Sequence, residues 1–337
     1  MAYNPDDVGV KNGCLFGIPQ KYDDAALVIL PVPWEVTVSY KAGTATAPQA
    51  ILDASPQLDI YHPDFPDAWQ KGMLLLDIPQ DILLLNNRLR AKAKEYILML
   101  EAGANIDDYP VLQQHLNEIN IACNDLRKRI YDETEKHYNN GKKVAVLGGD
   151  HSTPLGLMQM LSSKMDFGIL QIDAHADLRN AYEGFTYSHA SVMYNAIQSE
   201  HITHLIQVGI RDVSIGEVDF AANHPKIKTF YDHQIKHNAF VGKSWALQVE
   251  EIIAALPSNV YISFDIDGLK PWLCPNTGTP VPGGLEFEQA QYLIVQIARQ
   301  RNIVGFDLNE VSPSAKDEWD ANVGARVLYQ LCASLLK

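Results

Sequence analysis

Apolar residues along the chain fall into short runs separated by longer segments in which they recur every three or four positions. The runs are Ala25–Pro31, Met73–Ile78, Val144–Leu147, Phe167–Ile172, Leu205–Val208, Ile227–Tyr231, Val260–Phe264 and Ile303–Leu308. Several, such as VAVL and VYISF, are apolar at nearly every position, as strands covered on both faces should be. Helical patterns lie between them at Leu85–Glu101, Trp245–Leu256 and Glu286–Arg301. From Pro110 to Asn139, Leu112, Leu116, Ile119, Cys123, Leu126 and Ile130 follow steps of four and three, one apolar face of a long helix expected to pack on the sheet. Gly141 then stands in the usual stop position. Strand and helix in alternation predict an α/β fold, three-layer α/β/α with a mainly parallel, roughly eight-stranded sheet. No repeat, low-complexity tract or long linker interrupts the 337 residues. We therefore expect a single domain over 1–337, with 1–24 an N-terminal extension and 86–140 a helical segment ahead of the Gly148-Gly149 turn.

Composition narrows the partners. With 47% hydrophobic and 20% charged residues the chain can bury a substantial core, and its net charge of −14 argues against nucleic acid and anionic membranes. Solubility is the simpler reason for that charge, though it also suits a cationic ligand. No apolar run approaches the roughly 20 residues of a membrane span, and no secretory pattern opens the sequence. Cys14, Cys123, Cys274 and Cys332 form no CxxC pair, which suits a reducing compartment and predicts a cytoplasmic protein.

Chemistry-bearing residues follow four of the apolar runs directly, in VAVLGGDHS (144–152), GILQIDAHADLR (168–179), YISFDIDGLKP (261–271) and GFDLNEVSP (305–313). Ligands of open parallel sheets bind just beyond the carboxyl ends of strands. Side chains of an extended segment alternate faces, so Asp173, His175 and Asp177 share a direction if the chain stays extended, as do Asp265 and Asp267. Taken singly, Gly149-Asp150-His151 could be a capped turn and Asp265-x-Asp267 a helix N-cap. Together they place four carboxylates at one site, which cannot all stay ionised without compensation. Two divalent cations would cancel them, with His151 and His175 adding neutral nitrogen ligands. Such a donor set accepts Mn²⁺, with Fe²⁺, Co²⁺ and Zn²⁺ as competitors.

These segments resemble the ureohydrolase family of arginases, agmatinases and their relatives. Its three metal motifs correspond to GGDHS (148–152), DAHAD (173–177) and SFDIDG (263–268). YKAGTATAPQAI (40–51) and PNTGTPVPGGL (275–285) resemble further landmarks. The resemblance implies two Mn²⁺ per subunit, one held by His151, Asp173, Asp177 and Asp265, the other by Asp173, His175, Asp265 and Asp267. It implies attack of a metal-bridging hydroxide, oriented by Asp177, on a guanidinium carbon. Glu310 would pair with the guanidinium, and His189, in YSHASVM (187–193), would shuttle protons to the leaving amine. Trimers or hexamers are common in the family.

Details around Asp177-Leu178-Arg179 and Tyr182-Glu183-Gly184 are similar to agmatinases, which favours agmatine, cleaved to putrescine and urea. Arg179 could instead hold a carboxylate tail, with Glu183 expected to neutralise it when the tail is cationic. Guanidinobutyrate, guanidinopropionate, arginine and formimidoylglutamate remain alternatives. A two-metal phosphoesterase would call for more Arg/Lys clamps than Arg179 and Lys270, and a non-catalytic paralogue should have lost ligands that are all present here.

Overall fold

The computed structural model describes residues 4–337. Eight strands form one sheet: β1 (Leu27–Val32), β2 (Met73–Leu75), β3 (Lys143–Gly148), β4 (Phe167–Ile172), β5 (Ile202–Val208), β6 (Ile227–Phe230), β7 (Asn259–Asp265) and β8 (Asn302–Asn309). Their spatial order is β2-β1-β3-β8-β7-β4-β5-β6. Every neighbouring pair is parallel. The expectation of an eight-stranded α/β architecture therefore holds, with pairing parallel throughout. Pro31 sits inside β1 without breaking the ladder. The short β2 pairs only with Leu27 to Ile29, so Pro31 lies beyond its end, where no N–H is required.

Helices cover both faces. On one lie α1 (Ala47–Ala54), α7 (Asp232–Phe240), α8 (Trp245–Ala255), α9 (Phe287–Gln300) and α10 (Trp319–Leu336), packed against Leu27, Ile29, Leu170, Ile262 and Phe306. On the other lie α2 (Gln80–Glu101), α3 (Pro110–Asn139), α4 (Leu155–Ser162), α5 (Val192–Ala196) and α6 (Ile215–Asn223), packed against Val144, Val146, Ile169, Leu205 and Tyr261. Adjacent residues of one strand, such as Ile169 and Leu170, thus feed opposite cores, which is why the strands read as continuous apolar runs. The long 110–139 helix forms with the expected face, burying Leu112, Ile119, Cys123, Leu126 and Ile130. Among the described residues no helix is long and apolar enough to cross a membrane.

The α3–α4 contact is set by one missing side chain. A Cβ on Gly156 would stand 2.4 Å from the Arg127 carbonyl oxygen, so the two helices touch backbone to side. Gly156→Ala should force them apart at an overpacking cost of about 1–3 kcal/mol. The expected readout is a lower denaturant midpoint in equilibrium unfolding; an unchanged midpoint would contradict so close an approach.

Candidate metal centre

The four strands that carry chemistry are neighbours. β3, β8, β7 and β4 are consecutive in the middle of the sheet, and their carboxyl ends deliver His151, Glu310, Asp265 with Asp267, and Asp173 with His175 and Asp177 to one edge. Gly149 makes the first turn possible. Its N–H donates to the Val32 carbonyl, its own carbonyl accepts from the Glu310 N–H, and a Cβ there would lie 1.8 Å from the Trp34 oxygen.

The ligand segments do not stay extended as expected. The Asp173 Oδ1 accepts from the His175 N–H at 2.7 Å, and the Asp265 Oδ1 from the Asp267 N–H at 2.8 Å, so each carboxylate closes a tight turn on the residue two ahead. Asp177 takes a left-handed conformation, φ 54°, as does Glu310 at 62°. Convergence comes from these turns and not from strand alternation. The two ribbons are then tied together by the Ala174 N–H, which donates to Asp267 Oδ1 at 3.0 Å.

The donor atoms form two groups that share Asp173: His151, Asp173 and Asp265 in one, and Asp173, His175 and Asp267 in the other. The His151 Nδ1 lies 3.0 Å from Asp173 Oδ2, 2.9 Å from Asp177 Oδ2 and 3.4 Å from Asp265 Oδ2. The His175 Nδ1 lies 3.0 Å from Asp267 Oδ2 and 3.7 Å from Asp173 Oδ1. All six sequence-predicted ligands are thus brought together. His151 Nε2 faces the Ser263 hydroxyl at 2.8 Å, and that hydroxyl donates to Asp307 Oδ1. With Nε2–H given to that hydroxyl, the buried Nδ1 is left aimed at three carboxylates. Against the desolvation of burial, Asp173, Asp177 and Asp265 raise the imidazole well above its usual value, so in the metal-free protein a proton sits there. A nitrogen ringed by anionic oxygens at such distances calls for a positive charge between them, a proton when metal is absent or a metal ion in its place.

A cavity of about 360 Å³ opens onto this cluster and is also lined by Arg179, His189, Glu217 and Glu310. The comparisons with known proteins agree with the geometry. The arginase family model matches residues 25–334. This chain belongs to the arginase family. Its curated relatives include an N(1)-aminopropylagmatine ureohydrolase of Thermus thermophilus, 31% identical over 297 residues that cover 88% of this chain and 85% of that one. An agmatinase of Pyrococcus horikoshii is 27% identical, covering 91% and 90%. Among solved structures, the agmatine ureohydrolase of Thermoplasma volcanium superposes with a TM-score of 0.68 at 24% identity, over 94% of this chain and 91% of that one. The protein is therefore an arginase-type ureohydrolase, a hydrolase of linear amidine C–N bonds.

Within this arginase-family site, Glu310 is held by its carboxylate and its backbone. Oε1 accepts from the His151 N–H at 2.8 Å, while the Thr277 hydroxyl donates to the Glu310 carbonyl. Burial, and then the Asp150 charge, push its carboxyl well above the usual range, so an arriving cation would ionise it. His189 lines the same cavity, with Thr37 Oγ1 3.5 Å from its Nδ1. Its imidazole does not titrate near neutrality as an unperturbed one would: burial, then the charges of His175 and His151, push it down to about 3 and keep it neutral.

One expectation around the cavity mouth needs correction. Glu183 does not neutralise Arg179, whose Nε donates to Glu217 Oε2 at 2.8 Å and whose guanidinium lies over the Tyr182 ring. Glu183 is absent from the cavity lining, and its carboxyl is raised to about 7 by burial and then by Glu101. Sequence reading missed Glu217 because its local signal, Ser214-x-x-Glu217, is that of a helix capping box, which it also forms. Lys270 points elsewhere, ion-paired with Glu286.

The cluster's electrostatics set a pH dependence in the metal-free protein. Burial, then the Asp173 charge, raise Asp177 from 3.8 to about 7. Burial, then Asp267, raise Asp265. A carboxyl raised in the fold binds more protons there than in the unfolded chain, so its contribution to stability is lost as pH rises through the folded value. The expected outcome is a melting temperature of the metal-free protein that falls between about pH 4 and pH 7, the unfolded and folded values of Asp177. Affinity for a divalent cation at the cluster should rise over the same interval, because carboxyl groups that bind one must shed those protons. Calorimetric titration showing flat affinity would contradict it.

Proposed function

We propose that the chain is a two-metal hydrolase, loaded with Mn²⁺, that splits a small guanidine carrying a cationic tail into urea and an amine, with agmatine its first candidate substrate. The observation that carries this reading is the junction in one cavity of a paired carboxylate–imidazole cluster with the buried Glu310 carboxyl. His151, Asp173, Asp177 and Asp265 would hold one ion and Asp173, His175, Asp265 and Asp267 the other. The split of Asp173, with Oδ2 toward His151 and Oδ1 toward His175, supports its sharing. Such a pair would lower the pKa of a bound water and supply hydroxide near neutral pH.

The chain's own residues supply the rest. Glu310 binds and orients the planar guanidinium by a charge-assisted contact, holding its carbon toward the cluster. Asp177 accepts a hydrogen bond from the attacking oxygen and holds it in orientation. His189, neutral at rest, transiently takes up the proton that this oxygen releases as the C–N bond breaks and passes it to the leaving nitrogen, which becomes the product amine. Arg179 is already engaged by Glu217, which supports a cationic tail over a carboxylate one. A second reading, agmatine extended by an aminopropyl group, is favoured by the relatives of that name from Thermus thermophilus and Thermococcus kodakarensis. The free thiols Cys14, Cys123, Cys274 and Cys332 support a reducing compartment.

The test is urea release by the Mn²⁺-loaded protein from agmatine, N1-aminopropylagmatine, arginine, guanidinobutyrate and guanidinopropionate, with formamide release assayed for formimidoylglutamate. We expect the two cationic-tail substrates to lead; a sample fully loaded with Mn²⁺ that cleaves none of the panel would overturn the proposal. Glu310→Gln should keep both ions but lower kcat/KM about a hundred-fold, the loss expected for a hydrogen bond to a charged group. An unchanged kcat/KM would remove Glu310 from the assigned role.

A further inference from the structure

Several strands of the sheet carry a polar residue near the end of an apolar run, and these fall into one row. Gln171 of β4 is in register with Gln207 of β5, and Gln207 with Thr229 of β6. In the other direction, Gln171 is in register with Ser263 of β7, and Ser263 with Asp307 of β8. Gln171, Gln207, Ser263 and Asp307 are fully buried. Four such groups inside a sheet are costly unless each is satisfied. Ser263 and Asp307 serve His151, as described above; the other arm runs toward Asp173.

That arm is hydrogen-bonded in one direction. The Thr229 hydroxyl donates to Gln207 Oε1 at 2.8 Å. Gln207 Nε2 donates to Gln171 Oε1 at 2.7 Å and to the Ala176 carbonyl at 2.8 Å. Gln171 Nε2 donates to Asp173 Oδ2 at 2.8 Å and to the His175 carbonyl at 3.1 Å. The carbonyls of His175 and Ala176 can only accept, so both amides are forced to point their nitrogens at the 173–177 segment. Gln207 Oε1 then needs a donor on its far side, and Thr229 supplies one. A flipped Gln171 would set its oxygen against the Asp173 carboxylate.

We propose that Thr229, Gln207 and Gln171 act as one positioning relay. It fixes the carboxylate of Asp173, the ligand common to both donor groups, and the backbone behind it, from two strands away. The inference rests on the two-metal reading above. Its chemistry is that of an outer layer: none of the three touches substrate. Their effect is to present Asp173 Oδ2 at one angle, with one lone-pair direction taken by Gln171 and the other left toward His151.

The test is Mn²⁺ titration by calorimetry of the full-length, chelator-stripped protein, alongside thermal unfolding of the metal-free form. Loss of an outer hydrogen-bond partner typically weakens metal affinity about 10–100-fold. Gln171→Leu should fall in that range, with Gln207→Leu shifted in the same direction. Thr229→Val should weaken binding severalfold and Thr229→Ser restore it. Because either leucine could unfold the sheet, Thr229→Val, which exchanges one hydroxyl for a methyl, decides the matter alone. If it lowers the melting temperature while Mn²⁺ affinity stays at the wild-type value, the row only satisfies buried polar groups and the relay is overturned. A wild-type protein that takes up no pair of ions would overturn the two-metal reading instead.

Discussion

Asp173, Asp177, Asp265 and Asp267 are all buried, and their oxygens crowd the Nδ1 atoms of two imidazoles. Unit charges a few ångströms apart interact strongly in a low-dielectric setting, and a buried carboxylate without a partner costs several kcal/mol. Without a cation the cluster can exist only by holding protons. The rest of the architecture is arranged to keep these groups from separating. Parallel pairing of β3, β8, β7 and β4 stiffens the floor, cores on both faces hold the strands, and backbone N–H groups at His175 and Asp267 pin the carboxylates. A softer scaffold would relax, and the ligands would swing out to solvent.

Strain is accepted for the same end. Asp177 and Glu310 both adopt left-handed backbone conformations, each costing on the order of 1–3 kcal/mol for a residue with a side chain. Neither is held by its side chain alone. Around Asp177, Leu178 N–H donates to Glu217 Oε1 and Tyr194 N–H donates to the Asp177 carbonyl. At Glu310 the N–H is bound by the Gly149 carbonyl. Arg179 balances the Glu217 charge, so a residue that looked like a substrate contact also steadies a ligand's backbone.

Much of this was legible in the sequence because polar groups directly after buried strands have few structural uses. Phe167–Ile172 is read to the residue, and the six residues expected as ligands, chosen by position and type, come together at one edge of the sheet. Other features were hidden for identifiable reasons. The segment Trp319–Leu336 becomes a helix buried on nearly all sides, with Asp320, Gln330 and Ser334 among the buried positions, so it lacks the clean one-faced period that marks a surface helix. The turns at Asp173, Asp177 and Asp265 depend on hydrogen bonds that alternation rules ignore. Glu217 reads as a helix start, and its tie to Arg179 spans 38 residues. Gln171, Gln207 and Thr229 are single polar letters in apolar runs, and only register between strands turns them into a row.

The strand order carries a consequence for biosynthesis. β8, the last strand in chain order, lies between β3 and β7, so the middle of the sheet stays open until that strand has been made. Domains usually fold from the amino-terminal side as they emerge, and here that route halts at two half-sheets with exposed apolar edges. Completion requires insertion of a late strand over long sequence separations, a slow kind of closure. A nascent chain that has not yet supplied β8 would therefore be a client for chaperones and not a smaller version of the enzyme.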